Sequence, residues 1–167
     1  PIAYILGYRE FWSLKLAVGD GVLIPRPDSE TLIEAAIASF KAVAPRFTPA
    51  RILDLGTGSG ALLLAALAYW PDACGLGVDC SDKALDYARA NAVNNGLENR
   101  ADFRLGDWGA GISDCFDLIL CNPPYVALDA PLALQVKNYE PKNALFGGDD
   151  GLEQYRLIMP QLPQLLT

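Results

Sequence analysis

The chain has 167 residues, 51% of them hydrophobic, and a formal net charge of −7. This length suits one domain with a substantial core. The acidity argues against a general nucleic-acid-binding surface, because phosphate contacts require clustered Lys and Arg. The sequence contains neither an apolar run of membrane-spanning length nor a signal peptide, so we expect a cytoplasmic protein that does not engage membranes.

Metal chemistry is not expected from this composition. The chain has no histidine, and its four cysteines, Cys74, Cys80, Cys115 and Cys121, lack the paired short spacing of zinc ligands. We therefore predict no metal site and interpret the cysteines as reduced, mostly buried thiols.

The first elements form a β-hairpin and a helix. Alternating apolar residues over 10–24 surround the turn-like stretch Val18-Gly19-Asp20-Gly21, which predicts a hairpin within a linker region spanning 1–27. A helix is expected from Asp28, with Pro45 and Pro49 beyond its end. Its apolar positions recur at helical spacing and are Leu32, Ile33, Ala36, Ile37 and Phe40.

Strands and helices then alternate. The predicted elements are strands at 51–55, 75–79, 102–105 and 116–121, with helices at 59–70 and 82–95 between the first three and further helical segments after the last. Helices of this length between strands imply right-handed crossovers. The sequence therefore predicts an α/β domain over 28–167 with a doubly wound, mainly parallel sheet.

A glycine-rich turn follows the first of these strands, as Asp54-Leu55-Gly56-Thr57-Gly58-Ser59-Gly60. Glycines here let the backbone approach a ligand, and the start of the next helix presents unpaired N–H groups. The spacing differs from the G-x-G-x-x-G of dinucleotide sites and lacks the Gly-Lys-Ser/Thr of triphosphate loops. The alternative is a tight turn without a ligand.

Two further strand ends carry candidate binding residues. Asp79 ends the second strand 21 positions after Gly58, where a carboxylate can accept hydrogen bonds from both hydroxyls of a ribose. Capping of the next helix is the alternative. Asp107 and Trp108 follow the third strand, and the indole is placed to cover an adenine ring, although an isolated Trp is more often a core residue.

The fourth strand is followed by Asn122-Pro123-Pro124-Tyr125. Two prolines make a stiff exit from a strand. A buried Asn oxygen and the next backbone carbonyl would form a rigid acceptor pair for the two N–H bonds of a planar amino or amide group, with Tyr125 against its face. A purely structural turn is the alternative.

Together, the glycine turn and the proline motif resemble S-adenosylmethionine-dependent class I methyltransferases that act on planar NH2 groups. The flanks Gly7-Tyr8-Arg9-Glu10-Phe11-Trp12, Val22 to Glu30 and Tyr139 to Leu152 narrow the resemblance to the bacterial release factor glutamine methyltransferases. That family modifies the glutamine of the Gly-Gly-Gln motif in class 1 peptide chain release factors. One departure is Asp28-Ser29-Glu30, where the family usually has Glu-Thr-Glu or Asp-Thr-Glu.

The resemblance implies a Rossmann-like class I methyltransferase fold and S-adenosyl-L-methionine as cofactor, with S-adenosyl-L-homocysteine as product. Release factors would be the protein substrate. The cofactor would contact Gly56, Thr57, Gly58, Ser59, Gly60, Asp79, Trp108 and Asn122. The substrate glutamine would be bound and oriented by Asn122, Pro123, Pro124 and Tyr125.

Two alternative substrates stay open at this point, and a further expectation concerns how much of the family's fold this chain contains. An adenine-N6 DNA or RNA methyltransferase would use the same acceptor pair on a flipped base, and a ribosomal-protein glutamine is another acceptor. Compared with members of that family, this chain lacks the amino-terminal helical domain and the last strands of the sheet. We therefore expect a truncated catalytic domain with an exposed sheet edge, prone to self-association and with little activity.

Overall fold

The structure is a computed structural model that describes residues 1–43 and 47–167. Helix α1 (Ile2–Leu6) precedes the two-stranded hairpin β1 (Tyr8–Phe11) and β2 (Leu14–Ala17). A 3-10 turn (Pro27–Ser29) leads into α2 (Glu30–Val43). Strands and helices then alternate as far as β5, and the remaining strands and α-helices are β3 (Arg51–Leu55), α3 (Ala61–Tyr69), β4 (Cys74–Asp79), α4 (Asp82–Asn94), β5 (Ala101–Leu105), β6 (Leu118–Cys121), α5 (Leu134–Tyr139) and α6 (Glu153–Ile158).

The main sheet is parallel, with strand order β5-β4-β3-β6. The chain moves outward from β3 to β5 and then returns to the other side of β3 as β6. This reversal creates a topological switch point between β3 and β6, and α/β sheets bind ligands at the carboxyl ends of strands flanking such a point. The predicted parallel α/β sheet is confirmed.

Both faces of the sheet are covered, which explains the uninterrupted apolar runs. In β3, Ile52 packs into a cluster with α2, α3 and α4, while Leu53 and Leu55 pack on the opposite face with Ile158 of α6 and Leu165. All four residues from Ile52 to Leu55 are buried. Burial on both faces is typical of a parallel sheet with helices on each side.

The hairpin is present, but its predicted turn is wrong. The chain reverses at Trp12 and Ser13, where φ is 50° and 63°, instead of at Val18–Gly21. Two consecutive positive φ angles usually require Asn or Gly, so this pair gives no turn signal. The backbone N–H of Trp12 donates to Glu30 Oε1 at 2.9 Å, which ties the turn to α2.

Helix ends and cysteines give further differences. Helix α2 begins at Glu30, after a 3-10 turn that contains Asp28, and Pro45 lies outside the described residues. The last strand starts at Leu118, and Phe116, predicted to lie in it, forms an isolated bridge with Leu166. Three of the four cysteines (Cys74, Cys80, Cys115) are exposed at strand ends and loops, so the expectation of mostly buried thiols is wrong.

Within the described ranges, no helix combines the length and apolarity needed to cross a membrane.

Candidate functional site

A cleft of about 310 Å³ opens at the carboxyl ends of the four parallel strands. Its walls come from the segment between the hairpin and α2, from the turn after β3, and from the ends of β4, β5 and β6. The segment that follows α5 closes one side through Pro141 and Asn143. Residues 90 or more positions apart in sequence therefore meet in one space.

The glycine turn is the floor of this cleft. Gly56, Gly58 and Gly60 have φ of 73°, 56° and 83°, values that only glycine adopts without strain. The backbone N–H groups of Gly56 and Thr57 both donate to the carbonyl of Val78, at 2.8 and 2.9 Å. The turn is thus fixed to β4.

Asp54 is buried beneath the glycine turn and bonds to it. Its Oδ2 accepts from Thr57 Oγ1 at 2.7 Å and from the N–H of Leu63 at 3.2 Å. Burial raises the pKa of Asp54 to about 7, and the two hydrogen bonds oppose this shift. Its Oδ1 is the one buried side-chain oxygen or nitrogen in the described part of the chain without a hydrogen-bond partner.

Asp79 connects the glycine turn to the start of α4. One carboxylate oxygen accepts from the N–H of Gly58 at 2.8 Å, and the other accepts from the N–H of Ser81 at 2.9 Å. Ser81, not Asp79, caps α4 through the N–H of Ala84. Each carboxylate oxygen retains a lone pair, so Asp79 can still accept two hydrogen bonds from the cleft.

Trp108 lines the cleft beside the glycine turn in a strained conformation. Its φ of 50° is uncommon for a residue other than glycine. A Cβ on Gly56 would lie 3.1 Å from the edge of the indole ring. The ring therefore lies against the turn because position 56 is a glycine.

Asn122 is half-buried, lies directly beyond β6 and lines the cleft. Its side-chain Nδ2 donates to Ser29 Oγ at 3.1 Å. The backbone that follows is held by a second glycine-rich segment, Gly147 to Gly151. The N–H of Gly147 donates to the carbonyl of Val126, and the N–H of Val126 donates to the carbonyl of Leu145, which forms an isolated bridge between Val126 and Phe146. A Cβ at Gly147 would collide with the carbonyl of Pro124, and one at Gly151 with that of Tyr125.

Most of the predicted site residues meet in this cleft, and three do not line it. The residues that line it are Gly56, Thr57, Gly58, Ser59, Asp79, Trp108, Asn122 and Pro124. Gly60 is buried beneath the turn against Leu64 and Ala88. Pro123 is buried, while Tyr125 is 59% exposed outside the cleft.

Sequence reasoning missed two buried polar residues that shape the cleft. Glu140 pairs with Arg26 at 2.7 Å, although its side chain is only 1% exposed. Asn91 is fully buried and donates to the carbonyls of Ser59 and Ala17, which joins the glycine turn to the hairpin. The signal for Asn91 was a polar residue on the apolar face of a helix, in line with Ala84 and Ala88.

Comparison with known proteins gives matches by sequence and by fold. Residues 48–148 match a family model described as a methyltransferase domain. A release factor glutamine methyltransferase of Rhodospirillum rubrum is 49% identical over the whole chain, and one of Bradyrhizobium diazoefficiens is 46% identical, also over the whole chain. The chain spans 50% and 57% of these relatives, about half of their length.

Solved structures share the fold at lower identity. The hMettl16 catalytic domain, in complex with a MAT2A 3′UTR hairpin, superposes with a TM-score of 0.67 at 20% identity, over 92% of this chain and 58% of that one. A ribosomal protein L11 methylase from Lactobacillus delbrueckii subsp. bulgaricus gives 0.57 at 23% identity, over 85% and 56%. These likenesses establish the architecture of class I methyltransferases for this chain.

Proposed function

The chain belongs to the methyltransferase domain family, and from this premise we propose that it methylates the side-chain amide of a protein glutamine. The proposed substrate is the Gly-Gly-Gln motif of class 1 peptide chain release factors, in the cytoplasm, with S-adenosyl-L-methionine as methyl donor. The names of relatives 46–49% identical to this chain support it. The observation that carries it is one cleft shared by the glycine turn, Asp79 and Asn122.

The residues of the cleft fit this cofactor. At Gly58, which lines the cleft, no atom lies within 4 Å of the space that a Cβ would fill, so the backbone is open to a ligand. Asp79 has lone pairs left for ribose hydroxyls, and Trp108 presents an aromatic surface for the adenine. Carboxylates also suit a ligand with a positive sulfonium centre. When bound, the cofactor supplies an already activated methyl group.

The residues around Asn122 would orient the acceptor. An amide nitrogen is a weak nucleophile because its lone pair is delocalised into the carbonyl. Pro123 does not line the cleft in this structure, so its carbonyl would have to become accessible when the substrate binds. If Asn122 Oδ1 and that carbonyl then accept both amide hydrogens, they fix the direction of the nitrogen lone pair and stabilise the positive charge that develops there. Water can then take up the proton that the product sheds. The chain would therefore contribute geometry and polar contacts, without a general base.

The test is methyl transfer by the full-length protein from radiolabelled S-adenosyl-L-methionine to a purified class 1 release factor. The matched control is the same release factor with the glutamine of its Gly-Gly-Gln motif replaced by alanine. We expect label in the first substrate and none in the second. Adenine-containing DNA and RNA form a further arm. Label in nucleic acid, and none in release factor, would contradict the proposal.

A further inference from the structure

One side chain outside the proline motif contacts the proposed acceptor residue directly. Ser29 Oγ lies 3.1 Å from Asn122 Nδ2 and accepts its hydrogen bond, although the two residues are 93 positions apart in sequence. Both residues line the cleft. The contact therefore joins the end of β6 to the entry of α2 inside the site.

Ser29 is held by its own surroundings. It is the last residue of the 3-10 turn Pro27–Ser29, and its backbone N–H donates to the carbonyl of Arg26 at 3.0 Å. Arg26 is in turn paired with the buried Glu140 at 2.7 Å. Prolines at positions 25 and 27 restrict the backbone on both sides of Arg26. The backbone of Ser29 is thus held in place, and its hydroxyl accepts from Asn122 in this structure.

The direction of this hydrogen bond matters because the two ends of an asparagine amide are chemical opposites. Oδ1 accepts hydrogen bonds, whereas Nδ2 donates two. A half turn of the amide would place the donor where the acceptor had been, and a planar NH2 group in the cleft would then meet N–H instead of oxygen. The hydrogen bond to Ser29 engages Nδ2 and leaves Oδ1 to the cleft.

We infer that Ser29 is a positioning residue, which fixes the amide of Asn122 so that Oδ1 faces the substrate nitrogen. This inference rests on the proposed function for its kinetic consequence. The orientation itself is a property of the protein without substrate. Ser29 would affect kcat through Asn122, and it would neither react with the substrate nor exchange a proton with it.

The orientation is tested by NMR on the ¹⁵N-labelled full-length protein. The side-chain NH2 signals of Asn122 are assigned by their loss in Asn122→Ala. We expect Ser29→Ala to move these signals, because their hydrogen-bond acceptor is gone, and Ser29→Thr to restore them. Thr31→Ala is the matched control, since the hydroxyl of Thr31, in the first turn of α2, donates to the carbonyl of Asp28 and not to Asn122. Unchanged signals in Ser29→Ala would overturn the inference.

The consequence is tested by kinetics on release factor. We expect Ser29→Ala to lower kcat by about 10–100-fold, the loss that a displaced catalytic contact produces, with Ser29→Thr and Thr31→Ala near wild type. If Ser29 had a merely structural role, Ser29→Ala would instead lower the melting temperature. Ser29→Ala and Thr31→Ala would then reduce kcat to a similar extent. A fall in kcat in Ser29→Ala that Ser29→Thr does not rescue would overturn the positioning role.

The two measurements separate the inference from the proposed function. If wild-type protein methylates no release factor, the proposed function fails while the NMR result still decides the orientation of Asn122. If Ser29→Ala does not fold, Ser29→Cys takes its place, because it keeps the volume and weakens the acceptor. Shifted signals in that variant support the orientation, and unshifted signals contradict it.

Discussion

Asp79 contributes to the cleft in two ways, which a mutation separates. Its carboxylate holds the N–H groups of Gly58 and Ser81, so it shapes the glycine turn in the protein alone. Burial raises its pKa, and these hydrogen bonds offset part of the shift. Its remaining lone pairs are the proposed ribose acceptors.

We expect Asp79→Ala to weaken the binding of S-adenosyl-L-methionine by about 1–3 kcal/mol, because the ribose hydroxyls and two backbone N–H groups would lose their hydrogen-bond acceptor. Calorimetric titration of folded protein measures this. Asp82→Ala is the control, since Asp82 is exposed in the first turn of α4 and lies off the cleft. Equal affinities of wild type and Asp79→Ala would refute the ribose assignment.

For Asn122→Ala we expect release factor methylation to fall about 10²–10³-fold, as when one preorganised polar contact to the developing charge is removed. Cofactor affinity should change much less, because the side chain acts on the acceptor amide. Asn99→Ala provides the matched control at the opposite edge of the sheet, where Asn99 is exposed. Methylation within a few fold of wild type would show that the acceptor pair is not used.

The raised pKa of Asp54 predicts a pH-dependent stability. The unfolded carboxyl ionises near 3.8 and the folded one near 7, so the folded state binds the extra proton between these values. Stability should therefore fall as pH rises from about 4 to 7 and level off above 7. Urea unfolding at several pH values measures the slope. Asp54→Asn should remove this contribution, and an unchanged slope would contradict it.

At the scale of elements, the sequence predicts the sheet better than the hairpin. Strands β3 and β4 lie within one residue of their predicted bounds, because a strand buried on both faces produces a continuous apolar run between turn signals. The hairpin turn at Trp12–Ser13 has no such signal in its residue types. It depends on the tertiary bond to Glu30, which local sequence cannot reveal.

The site shows the same difference between features that local sequence encodes and features that depend on tertiary contacts. The residues at the ends of β3, β4 and β6 were predictable because strand ends in a parallel sheet share one edge. The roles of Glu140 and Asn91 were not, since both depend on which distant backbone or side chain faces them. The packing of Gly147 and Gly151 against the proline motif also depends on a distant segment, so local sequence does not predict it.

We expect Gly151→Ala to disturb that support. Its φ is 75°, and a Cβ would collide with the carbonyl of Tyr125. Gly111→Ala is the control, because its φ is 71° but no atom lies within 4 Å. Both variants carry the backbone cost of about 1–2 kcal/mol in unfolding free energy. Only Gly151→Ala should also lower release factor methylation. Equal activities of the two folded variants would contradict this.

At the scale of the molecule, the cleft is where separate parts of the fold meet. Asn91 joins the hairpin to the glycine turn, and the Arg26–Glu140 pair joins the entry of α2 to the segment after α5. A ligand in this cleft would contact both sides of the switch point at once. Its binding should therefore stabilise the whole domain and not only one loop.

This coupling predicts a ligand-dependent melting temperature. At a concentration of 100 times Kd, a ligand specific for the folded state adds about 2.7 kcal/mol to the unfolding free energy. For a chain of this size, that corresponds to a rise of roughly 5–10 °C. We expect S-adenosyl-L-methionine to produce this rise in scanning calorimetry, and NAD at the same concentration to produce none, because the glycine spacing differs from that of dinucleotide sites. Asp79→Ala should show a smaller rise at the same ligand concentration, since its affinity is lower. A larger stabilisation by NAD would contradict the cofactor assignment, and an equal rise in Asp79→Ala would mean that the cleft binds its ligand without the carboxylate.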